Sequence, residues 1–180
     1  MIANRERLLA LYARYHVRCN FSGHMHIQHI AESAAGVREI VTSALSVAPN
    51  QYGVLRVTDA GAAYHTVPTD VAAWARGQGR TEPELLNFSA FSREFFLRNT
   101  LRQARVTAGD APEADAMADY LAAMNLAYFS GRMDTVARDE ALLQAWRDTA
   151  SYASVYVPSL AVDISRDSTR DQFQFEEGTT

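Results

Sequence analysis

The spacing of apolar residues changes once along the chain, at Pro68, and that change limits the fold more than any other feature. Before it, short apolar runs are broken by turn residues. After it, apolar residues recur every three or four positions, the period of a helix. The expected organisation is a strand-rich part over residues 1–68, a helical part over 69–160 and an acidic, loosely packed tail over 161–180.

Within the first part, Leu8, Leu11, Tyr12 and Tyr15 predict a helix over 4–15. Val17-Arg18-Cys19-Asn20-Phe21 alternates apolar and polar residues and predicts a strand that Ser22-Gly23 ends. Residues 37–42, entered through Gly36, predict a second strand. Residues 54–57 and 63–67 flank Asp59-Ala60-Gly61, a hairpin signature with Gly61 free to take a positive φ. The first part therefore reads as one helix and about four strands.

In the second part, Gly77-Gln78-Gly79 predicts a break. Thr81 and Glu84 have capping-box spacing, with Leu85, Phe88, Phe91 and Phe95 as an apolar stripe behind them. A helix is expected over 112–129, with Met117, Tyr120, Leu121, Met124 and Tyr128 on one face and Gly131 at its end. Another is expected over 134–150, presenting Leu142, Leu143, Trp146 and Ala150. Phe88, Phe91, Phe95 and Trp146 read as core residues rather than stacking groups.

Composition removes several function classes. Of 180 residues, 48% are hydrophobic and 21% charged, so the chain can bury a core and is not disordered throughout. Net charge is −4 and no basic block occurs, which argues against a general nucleic-acid binder. No apolar run approaches the length of a membrane span. The first residues lack a signal-peptide apolar stretch, so the sequence as written predicts a cytoplasmic location. One cysteine, Cys19, excludes an intrachain disulfide and a four-thiolate zinc site.

The sharpest motif is Gly23-His24-Met25-His26, directly after the first predicted strand. Two histidines at i, i+2 in an extended segment would project to one side, and neutral imidazoles suit Zn, Mn and Fe. Gly23 would let the backbone turn so that both rings face one spot. The plainer alternative is a pair of loop histidines bonded to carbonyls.

The order helix, strand, Ser22-Gly23-His24-Met25-His26, further strands resembles the C-terminal end of the calcineurin-like metallophosphoesterases. Phe21–Ile30, Thr42–Val47 and Pro49–Gly53 resemble a bacterial branch of that family. The resemblance covers about residues 4–68 and extends loosely into the helical part. It implies an α/β fold, the C-terminal portion of a four-layer α/β/β/α sandwich followed by a helical extension. It also implies a two-metal hydrolase of phosphomonoesters or phosphodiesters, using divalent Mn, Fe or Zn. His24 would ligate the second metal and His26 the first, with Gly23 as support.

That family also uses an Asp-x-His, a Gly-Asp, a Gly-Asn-His and one more His upstream of Gly-His-x-His. Only 22 residues precede Gly23, with His16 among them and no Asp. The resemblance therefore implies a truncated chain, weak or inactive alone, with an incomplete two-metal site and no catalytic residue of its own. Expected partners are a phosphate-ester substrate, a second copy of the chain, or an N-terminal half on another chain. The alternative is a non-catalytic remnant serving as an interaction or oligomerisation module.

The remaining candidates have plainer readings. Gly109-Asp110 reads as a helix-capping turn. His29 reads as a strand or pocket residue rather than a third ligand, since its strand parity is opposite to that of His26. Cys19 reads as a buried, inert thiol. His16 marks the helix-to-strand turn and His65 lies half-exposed in the hairpin. Asn50 and Tyr52 belong to the turn after Pro49 or to a pocket mouth.

Overall fold

A computed structural model describes residues 4–33, 36–168 and 171–178. Helix α1 (Arg5–Arg14) buries no residue and is tied to the first strand by the Tyr12 hydroxyl, which donates to Asn20 Oδ1 at 3.0 Å. Three four-residue strands follow: β1 (Cys19–Ser22), β2 (His29–Glu32) and β3 (Arg38–Val41). They form a sheet in the order β1-β3-β2, with β1 parallel and β2 antiparallel to β3.

The predicted hairpin forms β4 (Gln51–Thr58) and β5 (Gly61–Pro68). Its register runs from Gln51↔Pro68 to Thr58↔Gly61, leaving Asp59-Ala60 as a two-residue loop, and Gly61 has φ 141°. A third strand, β6 (Gln174–Gly178), pairs antiparallel with β5 and completes a second sheet. Ile30 and Ile40 of the first sheet pack with Tyr64 of the second, flanked by Cys19 and Phe175. Tyr64 stacks on Phe175 at 5.7 Å between ring centroids, and its hydroxyl bonds Thr42 Oγ1 at 2.7 Å.

The helical part contains α2 (Val71–Gly77), α3 (Pro83–Leu86), α4 (Phe88–Ala108), α5 (Ala114–Ser130), α6 (Glu140–Arg147) and α7 (Ala153–Asp167). A 3-10 turn, Met133–Thr135, joins α5 to α6. The main core is Met117, Leu121 and Met124 of α5 against Leu143 and Trp146 of α6 and Val157, Leu160 and Ile164 of α7. Gly131 caps α5 in the left-handed region, as its place in the sequence predicts. Gly109 caps α4 with φ 64°.

The structure corrects several expectations. No capping box forms at Thr81: Glu82 is the N-cap of α3, and its carboxylate pairs with Arg80 and accepts from the Thr81 amide at 3.1 Å. The helix starts one residue later than expected, so Glu84 is its second residue and not the third that a capping box needs. Phe91 and Phe95 are exposed rather than core: the residues that α4 gives to the main core, Ala104 and Ala108, lie in its last two turns. The helix expected over 134–150 begins only at Glu140, where the Asp139 side chain accepts from the Leu142 amide. The described residues of the expected tail, 161–168 and 171–178, are not loose: 161–167 end α7, which is part of the core, and β6 extends the second sheet. The class is mixed α/β with two three-stranded sheets, and a four-layer α/β/β/α sandwich is not what the described residues form.

Candidate functional site

The segment 23–28 links β1 to β2, which lie on opposite sides of β3. Ser22 and His29 are both in register with Val41, the last residue of β3. The segment therefore arches over the carboxyl end of β3, beside the carboxyl end of its parallel neighbour β1. Carboxyl ends of parallel strands are where open sheets place ligands.

The arch is not extended. His24 has φ 76° and His26 has φ 59°, both in the left-handed region. Non-glycine residues rarely sit there, at a cost of roughly 1–2 kcal/mol each. The strand-parity argument for His24 and His26 therefore fails, and with it the parity argument that set His29 apart. Both His24 and His26 are exposed, as is Met25 between them. Gly23, expected to permit the turn, does not take a positive φ; the histidines do.

The strained arch is anchored from behind by Gln28, which is fully buried. Its amide donates to the Phe129 carbonyl at the end of α5, at 3.2 Å. Its Nε2 donates to the Gln172 carbonyl at 2.7 Å. Its Oε1 accepts from Gln51 Nε2 at 3.1 Å and from the Ser43 amide at 3.4 Å. Gln172, also buried, accepts from the Ile30 amide through Oε1 at 2.7 Å and donates from Nε2 to the Asp167 carbonyl at 3.3 Å. Gly131 makes room for this joint, since a Cβ there would lie 2.9 Å from Gln28 Cγ. Three buried glutamines thus bind the arch, both sheets and the ends of α5 and α7 together. Nothing periodic in the sequence marks them; the one signal is a glutamine between Ile27 and Ile30 in an otherwise apolar run.

His29 belongs to this joint. Its Nε2 donates to Asp167 Oδ2 at 2.8 Å, and the Asp167 side chain is fully buried. Burial pushes the Asp167 carboxyl up, but hydrogen bonds from Arg166 and His29, and the charge of both, outweigh it and hold the group below its ordinary value. A depressed carboxyl stabilises the fold above its unfolded value of about 3.9 and loses that contribution as pH falls through the lower folded value. Asp167→Asn is expected to cost about 1.5–3 kcal/mol at neutral pH. It should also flatten the loss of stability below about pH 4. Urea midpoints of both proteins across the acid range test this, and parallel acid limbs would refute it.

Of the other sequence candidates, Asn50 is buried with φ 58°. Its Nδ2 donates to the Leu45 carbonyl at 2.9 Å, which is a turn role. Cys19 is partly buried beside Ile30 and Ile40. His16 and His65 are exposed, and neither joins the arch.

The metal reading of His24 and His26 meets a donor set of two imidazoles. Among the described residues, no group of three or more His, Cys, Asp or Glu side chains could hold an ion. A stable divalent site takes three or four protein ligands, so these residues do not by themselves fit the two-metal centre that the resemblance implied. No helix among the described residues is long and apolar enough to cross a membrane.

Among curated proteins, none matches the chain. A family model described as the C-terminal domain of cyclic nucleotide phosphodiesterase matches residues 70–171, from the residue before α2 to just beyond α7. That match corrects the assignment to the calcineurin-like metallophosphoesterases, which rested on a short motif before residue 68, whereas the match covers the helical part. It keeps the broader tie to phosphoester hydrolases. Because it spans more than half of the 180 residues, the chain belongs to the family of the C-terminal domain of cyclic nucleotide phosphodiesterase.

Proposed function

We propose that this chain serves the hydrolysis of a cyclic nucleotide phosphodiester, with the His24–His26 arch as its contribution to the reacting end. The observation that carries this reading is the arch itself. Two histidines separated by one residue are held at positive φ over the carboxyl end of a strand, and a buried hydrogen-bonded joint lies behind them. Strain of this kind persists where surrounding structure over-determines it, and it concentrates at functional sites. The helical part supplies the rigid backing, through the Phe129 carbonyl and Gln172.

Exposed imidazoles can orient or protonate phosphoryl oxygens, or supply two donors to a divalent Mn, Fe or Zn whose other donors come from outside the described residues. Hydrolysis of cyclic AMP and of a chromogenic phosphodiester by the full chain, with and without Mn, tests the reading. Slow turnover is expected, falling at least about 100-fold in His24→Ala and in His26→Ala, within the usual range for loss of a positioned acid–base group. Equal turnover in both variants would remove the arch from the reaction. Absence of any turnover would remove the activity from this chain.

The second reading is a non-catalytic contact module, favoured by the open outer edge of β4. Among the described residues that eight-residue strand pairs with β5 alone, and it exposes Tyr52, Leu55 and Val57. Such an edge invites pairing with another chain. A stable dimer without turnover would support it.

A further inference from the structure

We propose that two copies of this chain pair through the outer edge of β4, antiparallel about a two-fold axis at Leu55, so that their hairpin sheets join into one six-stranded sheet. The pairing rests on the contact reading for its surface alone, and adds the partner and the register. Among the described residues, β4 is an end strand of the order β4-β5-β6. Its pairing with β5 runs unbroken from Gln51↔Pro68 to Thr58↔Gly61, so no bulge twists the edge away. The strand holds no Lys and no Pro, the residues that commonly blunt an edge. The opposite end strand, β6, is shorter and carries an exposed Glu176.

The accessible length of β4 fixes the register. Gln51 is buried, whereas Tyr52 to Thr58 are exposed or half-buried, and the loop begins at Asp59. That strip has its midpoint at Leu55. Residues directly opposite in an antiparallel pair share a face of the sheet. A two-fold axis through the sheet also keeps each residue on the same face in both copies. Pairing about Leu55 therefore sets Leu55 against its own copy, Gly53 against Val57 of the second copy, and Tyr52 against Thr58 of the second copy.

That pairing fits a knob to a hole. Gly53 has no side chain, and the Tyr64 ring lies across it, since a Cβ there would come 2.5 Å from Tyr64 Cε2. Phe21, Gly53, Leu55 and Tyr64 wall a depression of about 390 Å³ that no charged residue lines. Tyr52, on the other face of β4, lines it too, so the depression opens at the strand's outer edge. Val57 is 71% exposed, and the second copy brings it opposite Gly53, at the mouth of the depression. Knob and hole stand two residues either side of Leu55 on one strand. Such self-complementarity is the mark of a two-fold interface and commits the edge to a second copy. Arg56, the one charge on the strip, faces Val54 of the second copy rather than another Arg56.

Sedimentation of the full chain over a concentration series tests the pairing. The strip is short, so a monomer–dimer equilibrium in the micromolar range is expected. Leu55→Arg sets two like charges face to face on the axis and should weaken the dimer at least about ten-fold, with circular dichroism unchanged. Cysteine trapping reads the register. Leu55→Cys should give a disulfide-linked dimer on mild oxidation, because facing Cα atoms lie about 4.5–5.5 Å apart, within disulfide reach. Val57→Cys should not, because its own copy lies four residues along, about 14 Å away. A chain that stays monomeric throughout, a dimer indifferent to Leu55→Arg, or equal trapping of both cysteine variants would overturn the proposal. The last two outcomes leave the contact reading in place. Turnover by a dimer that passes both tests would remove the contact reading while the pairing stood.

Discussion

Trp146→Ala is expected to destabilise the protein by about 3–5 kcal/mol, the range for removing a large buried aromatic side chain. Trp146 is fully buried in α6, at the centre of the core formed with α5 and α7. Its Nε1 donates to the Met117 carbonyl at 3.1 Å and so fixes the distance of α6 from α5. Alanine would leave a cavity bordered by helices that cannot close over it without breaking their own packing. Since a domain of this size has a total stability of only about 5–15 kcal/mol, the loss is a large share of the total and should lower the urea midpoint markedly. Trp146→Phe should recover most of the loss, because it restores much of the volume and lacks only the hydrogen bond, worth about 1 kcal/mol. Urea unfolding followed by circular dichroism measures both. Trp74 is half exposed, so the blue-shifted part of the fluorescence belongs to Trp146 and disappears with it. A loss below about 0.5 kcal/mol would place Trp146 with surface residues and refute the packing described.

Gln28→Ala is expected to cost a comparable amount, about 3–5 kcal/mol, by a different mechanism. The substitution removes one partner from three buried groups: the Gln172 carbonyl, the Gln51 side-chain amide and the Ser43 backbone amide. Each such group left unsatisfied costs about 1–3 kcal/mol, and the three are not independent. The local signature separates this variant from Trp146→Ala. Hydrogen exchange should accelerate in the His24–His26 arch and around residues 172–174, while the α5–α6 core keeps its protection relative to global unfolding. A double-mutant cycle with Gln172→Ala should show coupling of about 0.5–3 kcal/mol, because the two side chains share one network. Additive losses would mean that the glutamines act separately and that the arch is held by something else. If the arch carries the chemistry, Gln28→Ala should also reduce turnover without touching either histidine.

Much of the architecture was legible in local chemistry. Asp59-Ala60-Gly61 between alternating runs marks the hairpin, and a hairpin forms there, with Gly61 as the first residue of β5. Gly131 ends α5 because a residue without a Cβ can take the left-handed cap, and the paired Leu142, Leu143 and Trp146 face the core of α6. These signals depend on neighbours in sequence, so they survive without knowledge of the fold. Strand β2 was not legible, because four residues with mixed polarity carry no period of their own. The order within residues 161–168 and 171–178 was not legible for a similar reason. Their acidic and amide side chains look solvated, yet Asp167 and Gln172 are buried because His29 and Ile30, more than 130 positions away, satisfy them. The histidine motif was found, but its geometry was not. Its positive φ values come from crossing the end of β3, and that crossing exists only once β1 and β2 take opposite sides of one strand.

The sequence by itself determined the division at Pro68, the helix period beyond it, the hairpin and the identity of the exposed histidines. Each of these rests on backbone preference or on apolar spacing within a few residues. Tertiary structure alone decided that the two parts are joined through buried glutamines, that α7 belongs to the core, and that His24 and His26 stand on a strained arch. Those features depend on hydrogen bonds between distant segments. A buried amide or carboxylate is stable only where the folded chain supplies its partner, and no local pattern records where that partner will be.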